Sequence, residues 1–222
     1  MEFISKYMRI IKAVIWLFII FFSYQVITSI NEPIKFNEVK KERYLKVIDK
    51  LKDIRNAQLA YKSVNGSYAD NFEGLIKFID TAQYTLIQKR DSSYLQYDRV
   101  YRIDMLREVV VIDTLGFVSV KDSIFGNSIR YKDLAQVPID GVDATFSIKS
   151  DVIKKGDYDV YVFEVKVSKD VILFDQNKEL LKQEKALMSV DGVNGPDLVL
   201  GSMTEVSTNG NWPTTYDAIA RN

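Results

Sequence analysis

A basic stretch opens the chain, which then runs without a charge from Ala13 to Ile30 (AVIWLFIIFFSYQVITSI). Eighteen residues of helix cover about 27 Å, close to the thickness of a bilayer's hydrocarbon core, so a transmembrane helix is predicted over residues 13–30. Lys6, Arg9 and Lys12 precede the run with only Glu2 opposing them, whereas Asn31, Glu32 and Pro33 follow it. A basic flank stays in the cytoplasm, so residues 1–12 are expected as a cytoplasmic stub and residues 31–222 on the far side. The run is long and bulky, and Val26–Ile30 offers no Ala-x-Ala pattern, which favours a retained anchor over a cleaved signal peptide. Ser23, Gln25, Thr28 and Ser29 interrupt its distal half. Gln25 is a candidate for hydrogen bonding to another transmembrane helix, because an unpaired amide in lipid is costly. The plainer alternative has these side chains reaching the far headgroups.

After Pro33 the pattern changes to threes and fours. Tyr44, Val47, Leu51, Ile54, Ala57, Tyr61 and Val64 recur at the period of one helical face, predicting an amphipathic neck helix over residues 37–64. Asn37 is its expected N-cap and Asn65-Gly66 its stop, with Lys46–Asp49 and Lys50–Asp53 as expected ion pairs. Pro33 predicts a kink or break between anchor and neck. The stripe packs either on its own domain or on a partner; Val47, Leu51, Ile54 and Tyr61, with Gln25, are the candidate interaction residues.

Asp70, with Glu73 three residues on, predicts the capped start of a short second helix whose inner face is Phe72, Leu75, Ile76 and Ile79. From Tyr84 the alternation becomes strand-like. Segments 84–87, 100–103, 109–113 and 117–120 are expected strands, with Thr114-Leu115-Gly116 as a hairpin turn. Strands are also expected over 145–149 and 160–167 around a Lys154–Asp157 turn, a helix over 177–184, and a closing strand over 198–203. The tail from Thr208 is polar and expected to pack poorly. An α+β fold follows: a transmembrane helix, a neck helix and a small, mostly antiparallel β head over residues 67–207, with the polar tail at 208–222. Strands without alternating long helices argue against a βαβ nucleotide-binding fold.

Composition narrows the chemistry. Cysteine and histidine are both absent, which removes thiol nucleophiles, disulfides, Cys/His zinc sites and histidine acid–base catalysis. Thirty basic residues balance thirty acidic ones, so no cationic excess exists to bind nucleic acid through its phosphates. No phosphate-binding glycine loop or nucleophile elbow occurs. Asp191, Asn194 and Asp197 could offer oxygens to calcium, but their spacing is not that of an EF-hand and suits an ordinary turn. No catalytic, cofactor-binding or metal residues are therefore assigned.

Two resemblances are carried by particular segments. Ala60-Tyr61-Lys62-Ser63-Val64-Asn65-Gly66-Ser67-Tyr68, followed by Gly74-Leu75-Ile76, resembles the neck-to-head passage of type II secretion pseudopilins, over about residues 13 to 80. The segments at 54–79, 118–126 (VSVKDSIFG) and 200–212 (LGSMTEVSTNGNW) are similar to a family of membrane-anchored envelope proteins from Bacteroidota. These likenesses imply a pseudopilin-like head and an inner-membrane protein facing the periplasm. The expected role is non-enzymatic, as a structural or assembly component of a secretion, pilus-like or other envelope machine. Its expected partners are the bilayer, other envelope proteins and a second copy of the chain. The alternative is a membrane-tethered periplasmic module that binds or senses a ligand.

Overall fold

A computed structural model describes the backbone of residues 2–216 and the side chains of residues 8, 12 and 14–216. Its first element, α1 (Glu2–Asn65), is one helix of 64 residues, about 95 Å long at the ordinary rise. Its N-terminal apolar window has a mean hydropathy of 1.8 and none of it is buried, which is compatible with a single membrane span. Of the kink or break expected at Pro33 the break does not occur, the helix running on through it, and Asn37 lies inside that helix instead of capping a new one. Pro33 deprives the Ser29 carbonyl of its helical donor, but Ser29 is exposed, so that carbonyl can be solvated. Packing begins at buried Phe36, within a turn of the proline, and holds the helix on its far side. The stop is where the pattern puts it. Gly66 takes a φ of +78° and its amide donates to the Lys62 carbonyl at 2.8 Å, closing the last turn.

The stripe on α1 packs inward. Tyr44, Val47, Ile48, Leu51, Ile54 and Ala57 are all buried in one core. Against them lie Leu75, Phe78 and Ile79 of α2 (Phe72–Thr81) and the inner residues of a three-stranded antiparallel sheet. That sheet runs β3 (Ser147–Lys155), β4 (Tyr158–Ser168), β5 (Asp197–Gly201), with Ser147 opposite Lys166 and Glu164 opposite Gly201. Phe163, Val165 and Val167 alternate inward along β4, as do Leu198 and Leu200 along β5. Gly156, at φ +66°, turns β3 into β4 where the Lys154–Asp157 pattern predicted. Gly201 has a stricter requirement: at φ +79° a Cβ there would collide with the Phe163 carbonyl.

Local caps follow side-chain chemistry. Asn71, not Asp70, caps α2, its oxygen accepting the Gly74 amide at 2.7 Å. Asn177 caps α5 (Lys178–Lys185) and accepts the Glu179 amide at 2.8 Å. Short helices α3 (Val120–Ile124) and α4 (Lys169–Ile172) each follow a capping serine.

The described part of the tail is packed, contrary to expectation. The Asn211 amide donates to the Val199 carbonyl at 3.0 Å, while its side chain accepts from the Val199 amide at 2.9 Å. Trp212 is buried, and Tyr216 lies against Tyr44 with ring centroids 6.4 Å apart. Residues 217–222 of the tail lie outside the described residues.

Charges and amides inside the head are tied to backbone. Gln58, fully buried, grips the loop after α1 from both sides: its amide donates to the Ala69 carbonyl and its oxygen accepts the Ala69 amide, each at 2.9 Å. Lys169 is equally buried and donates to the carbonyls of Glu184 at 2.8 Å and Val193 at 2.7 Å, and to the Glu184 carboxylate at 3.2 Å. Glu184 also receives Lys40 at 2.9 Å and the Tyr44 hydroxyl at 3.2 Å, so this cluster joins α1 to α4 and α5. Burial lowers the Lys169 pKa, opposed by the Glu184 charge, and raises that of Tyr44. On the surface, Lys46 pairs with Glu42 at 2.8 Å instead of Asp49, and Asp53 takes Arg130 at 2.8 Å instead of Lys50. Glu four residues before Lys is the better-oriented helical pair.

Candidate functional site

Between α2 and α3 the chain leaves the head. β1 (Gln83–Asp98, 16 residues) and β2 (Ile103–Ser119, 17 residues) pair antiparallel as a sheet of their own. At ordinary strand rise this arm is about 50 Å long. Its base is fixed by the Val120 amide donating to the Ala82 carbonyl at 3.0 Å and by Tyr84, which packs against the core of the head. Partial burial raises the Tyr84 pKa, with the Ser63 hydrogen bond opposing. Beyond Tyr84 the two strands pair only with each other, and most of their side chains are exposed.

Sequence patterning misplaces the turn of this hairpin. Val100–Ile103, expected as a strand, instead forms the tip and the first residue of β2; Arg102 there adopts φ +55°, and the Asp98 carboxylate accepts the Val100 amide at 2.8 Å. Thr114-Leu115-Gly116, expected as the turn, lies within β2. Leu86 faces Gly116 and Ile87 faces Thr114, so Leu115 is the extra residue of a β-bulge. The polar run Gln88–Ser93 hid the continuity of β1, because it alternates no apolar face.

The arm is apolar on both faces. Opposite residues share a face, so Leu95 with Leu106 and Val110 with Asp91 lie on one side, and Tyr94 with Arg107 and Val109 with Ser92 on the other. Leu95, Leu106, Ile112, Leu115 and Phe117 are each more than half exposed, and Val100 at the tip is 83% exposed. Consecutive Val109-Val110-Val111-Ile112 is a run of the kind found in strands covered on both faces. Arg90 and Asp113 form an ion pair across the strands. Two strands alone are marginally stable in water, and each carries an outer row of unpaired amides and carbonyls. Together these features describe a two-stranded sheet with free edges and apolar side chains exposed on both faces.

The residues singled out from sequence lie elsewhere. Gln25 is exposed on the apolar part of α1. Val47, Leu51 and Ile54 are each 0% exposed within the head, so the interface assigned to them is corrected to core. A helical face that meets a sheet of its own chain has no surface left for another. Tyr61 is half-buried, with its ring 4.9 Å from that of Phe78. In the 191–197 loop the Asn194 side chain accepts the Ser189 amide at 2.8 Å, the work of a turn. Among the described residues no group of three or more carboxylates gathers as a metal site. A lysine-lined groove beside Phe174 and Leu181 is open to solvent. Comparison with family models, curated proteins and solved structures finds no match to this chain.

Proposed function

We propose that the protein is a non-enzymatic, single-pass inner-membrane protein that serves as an assembly component of an envelope machine, with its head in the periplasm and the β1–β2 arm as its docking element. One observation carries this reading: a hairpin of 16 and 17 residues stands outside the core with apolar side chains exposed on both faces. Exposed apolar area of that extent is costly in a free monomer and gainful once covered. The apolar start of α1 supports the anchor, and the basic residues before it support a cytoplasmic N-terminus. Resemblance of residues 60–68 and 74–76 to pseudopilins, and of three segments to Bacteroidota envelope proteins, supports a secretion or pilus-like setting.

Excision tests it. Replacing residues 86–116 by a short glycine–serine turn removes the arm and leaves the anchoring contacts at Ala82 and Val120 in place. The head is expected to keep its melting temperature while the protein leaves its native high-mass complex on sizing in mild detergent. An arm-free protein that migrates with the intact complex would refute the proposal.

A further inference from the structure

The two edges of the arm are not equivalent. The middle of β1 reads Gln88-Lys89-Arg90-Asp91-Ser92-Ser93, charged and polar, the composition that blunts an edge against pairing. The middle of β2 reads Val109-Val110-Val111-Ile112, four β-branched residues with no such protection. β1 already covers one side of β2, so the other side is the open edge.

We infer that this edge pairs with the same edge of a second copy, antiparallel about a two-fold axis at Val110, joining two arms into one continuous sheet. The inference rests on the arm being the docking element. The register follows from charge. With Val110 opposite itself, Val109 faces Val111 and Arg107 faces Asp113, and symmetry repeats each pair. Arg107 and Asp113 lie on the same face of the arm, the face that also carries Arg90, so each Asp113 would sit between its own Arg90 and the second copy's Arg107. On the other face Glu108 would stand opposite Ile112, in the row where Ile112 neighbours Lys89 of its own chain. A two-fold pairing keeps facing residues on one face, so the neighbouring registers are centred on Val109 or on Val111. Centred on Val109, Arg107 faces Val111 and Asp113 faces Met105; centred on Val111, Asp113 faces Val109 and Arg107 faces Leu115. Of these three registers, only the one centred on Val110 pairs every Arg107 with a carboxylate and keeps valine on valine. It is self-complementary, as a two-fold contact must be.

Because the chain has no cysteine, single cysteines report the pairing directly. The full-length protein in its native membrane, carrying one cysteine at a time from Met105 to Thr114, is treated with a short bis-maleimide. Cross-linked dimer is expected to peak at Val110→Cys, to fall away toward both ends of the scan, and to be lost for Ser92→Cys on β1. In the Val110→Cys background, Arg107→Glu and Asp113→Lys should each lose the dimer alone. Mixing those two chains should restore a heterodimer, since glutamate then faces lysine and the unchanged Asp113 faces the unchanged Arg107. A scan with no dimer at any position, or with its maximum on β1, overturns the inference. If that scan is empty while arm excision still removes the protein from its complex, the docking role stands and its occupant is another chain. If arm cysteines are instead shielded from a water-soluble maleimide by protein-free phospholipid vesicles, the occupant is the bilayer and the second copy is wrong.

Discussion

Leu51 separates a helix that is core from a helix that is interface. Its side chain is 0% exposed, on the same face of α1 as Val47, Ile54 and Ala57, with α2 and the sheet packed over that face. Leu51→Ala removes the buried atoms and leaves a cavity that the surrounding helix and sheet can close only in part, which costs about 3–5 kcal/mol. For a folded unit of this size each kcal/mol lowers the melting temperature by about 2–4 °C, so a fall of roughly 10 °C is expected. Leu51→Met, which keeps the volume, should cost less than about 1.5 kcal/mol. The chain supplies its own reporter. Trp212 is buried in the head and Trp16 lies in the apolar run, so Trp16→Phe leaves Trp212 fluorescence to follow the head alone in detergent. If Leu51→Ala melts with the parent and loses its partners instead, the face is an interface and the packing argument is wrong.

Gln58→Ala leaves both backbone groups of Ala69 buried without their partner and is expected to cost about 2–4 kcal/mol in the same thermal assay. Gln58→Glu, which keeps an acceptor for the amide but turns a carboxylate toward the Ala69 carbonyl, should be no milder at neutral pH. Asp175 holds Arg43 through two hydrogen bonds, at 2.6 and 2.8 Å, and that contact lowers its carboxyl from 3.8 to about 2. Between those values the unfolded chain binds a proton that the folded Asp175 refuses, so its stabilising contribution is full above 3.8 and is lost as pH falls toward about 2. Acid unfolding compared with Asp175→Asn should show the two chains converging in that window. For orientation, alkaline phosphatase fused after Asn222 should be active; an inactive fusion beside a fluorescent cytoplasmic one would reverse the topology.

Much of the fold was legible in the sequence because its signals are local. An uncharged run of bilayer length, a stripe repeating at threes and fours, and glycine at a helix stop each depend on residues within a few turns of one another. The apolar start of α1, its amphipathic stretch, its end at Asn65, the turn at Gly156 and helix α5 were all readable for that reason. Pro33 does not break the helix, because its penalty depends on whether a carbonyl four residues earlier is wet and whether the helix is held beyond it, and packing at Phe36 decides the second. Periodicity shows that Val47, Leu51 and Ile54 face one way, but not what they face. Only the arrival of α2 and the β3–β4–β5 sheet, far along the chain, makes them core. The arm was hidden for the complementary reason. Its strands alternate apolar and polar residues poorly, since neither face packs on the head, and the period that identifies a strand is a signature of having one side buried. Register across residues 83 to 119 had to place the tip at Val100 and the bulge at Leu115 before the open edge of β2 could be seen at all.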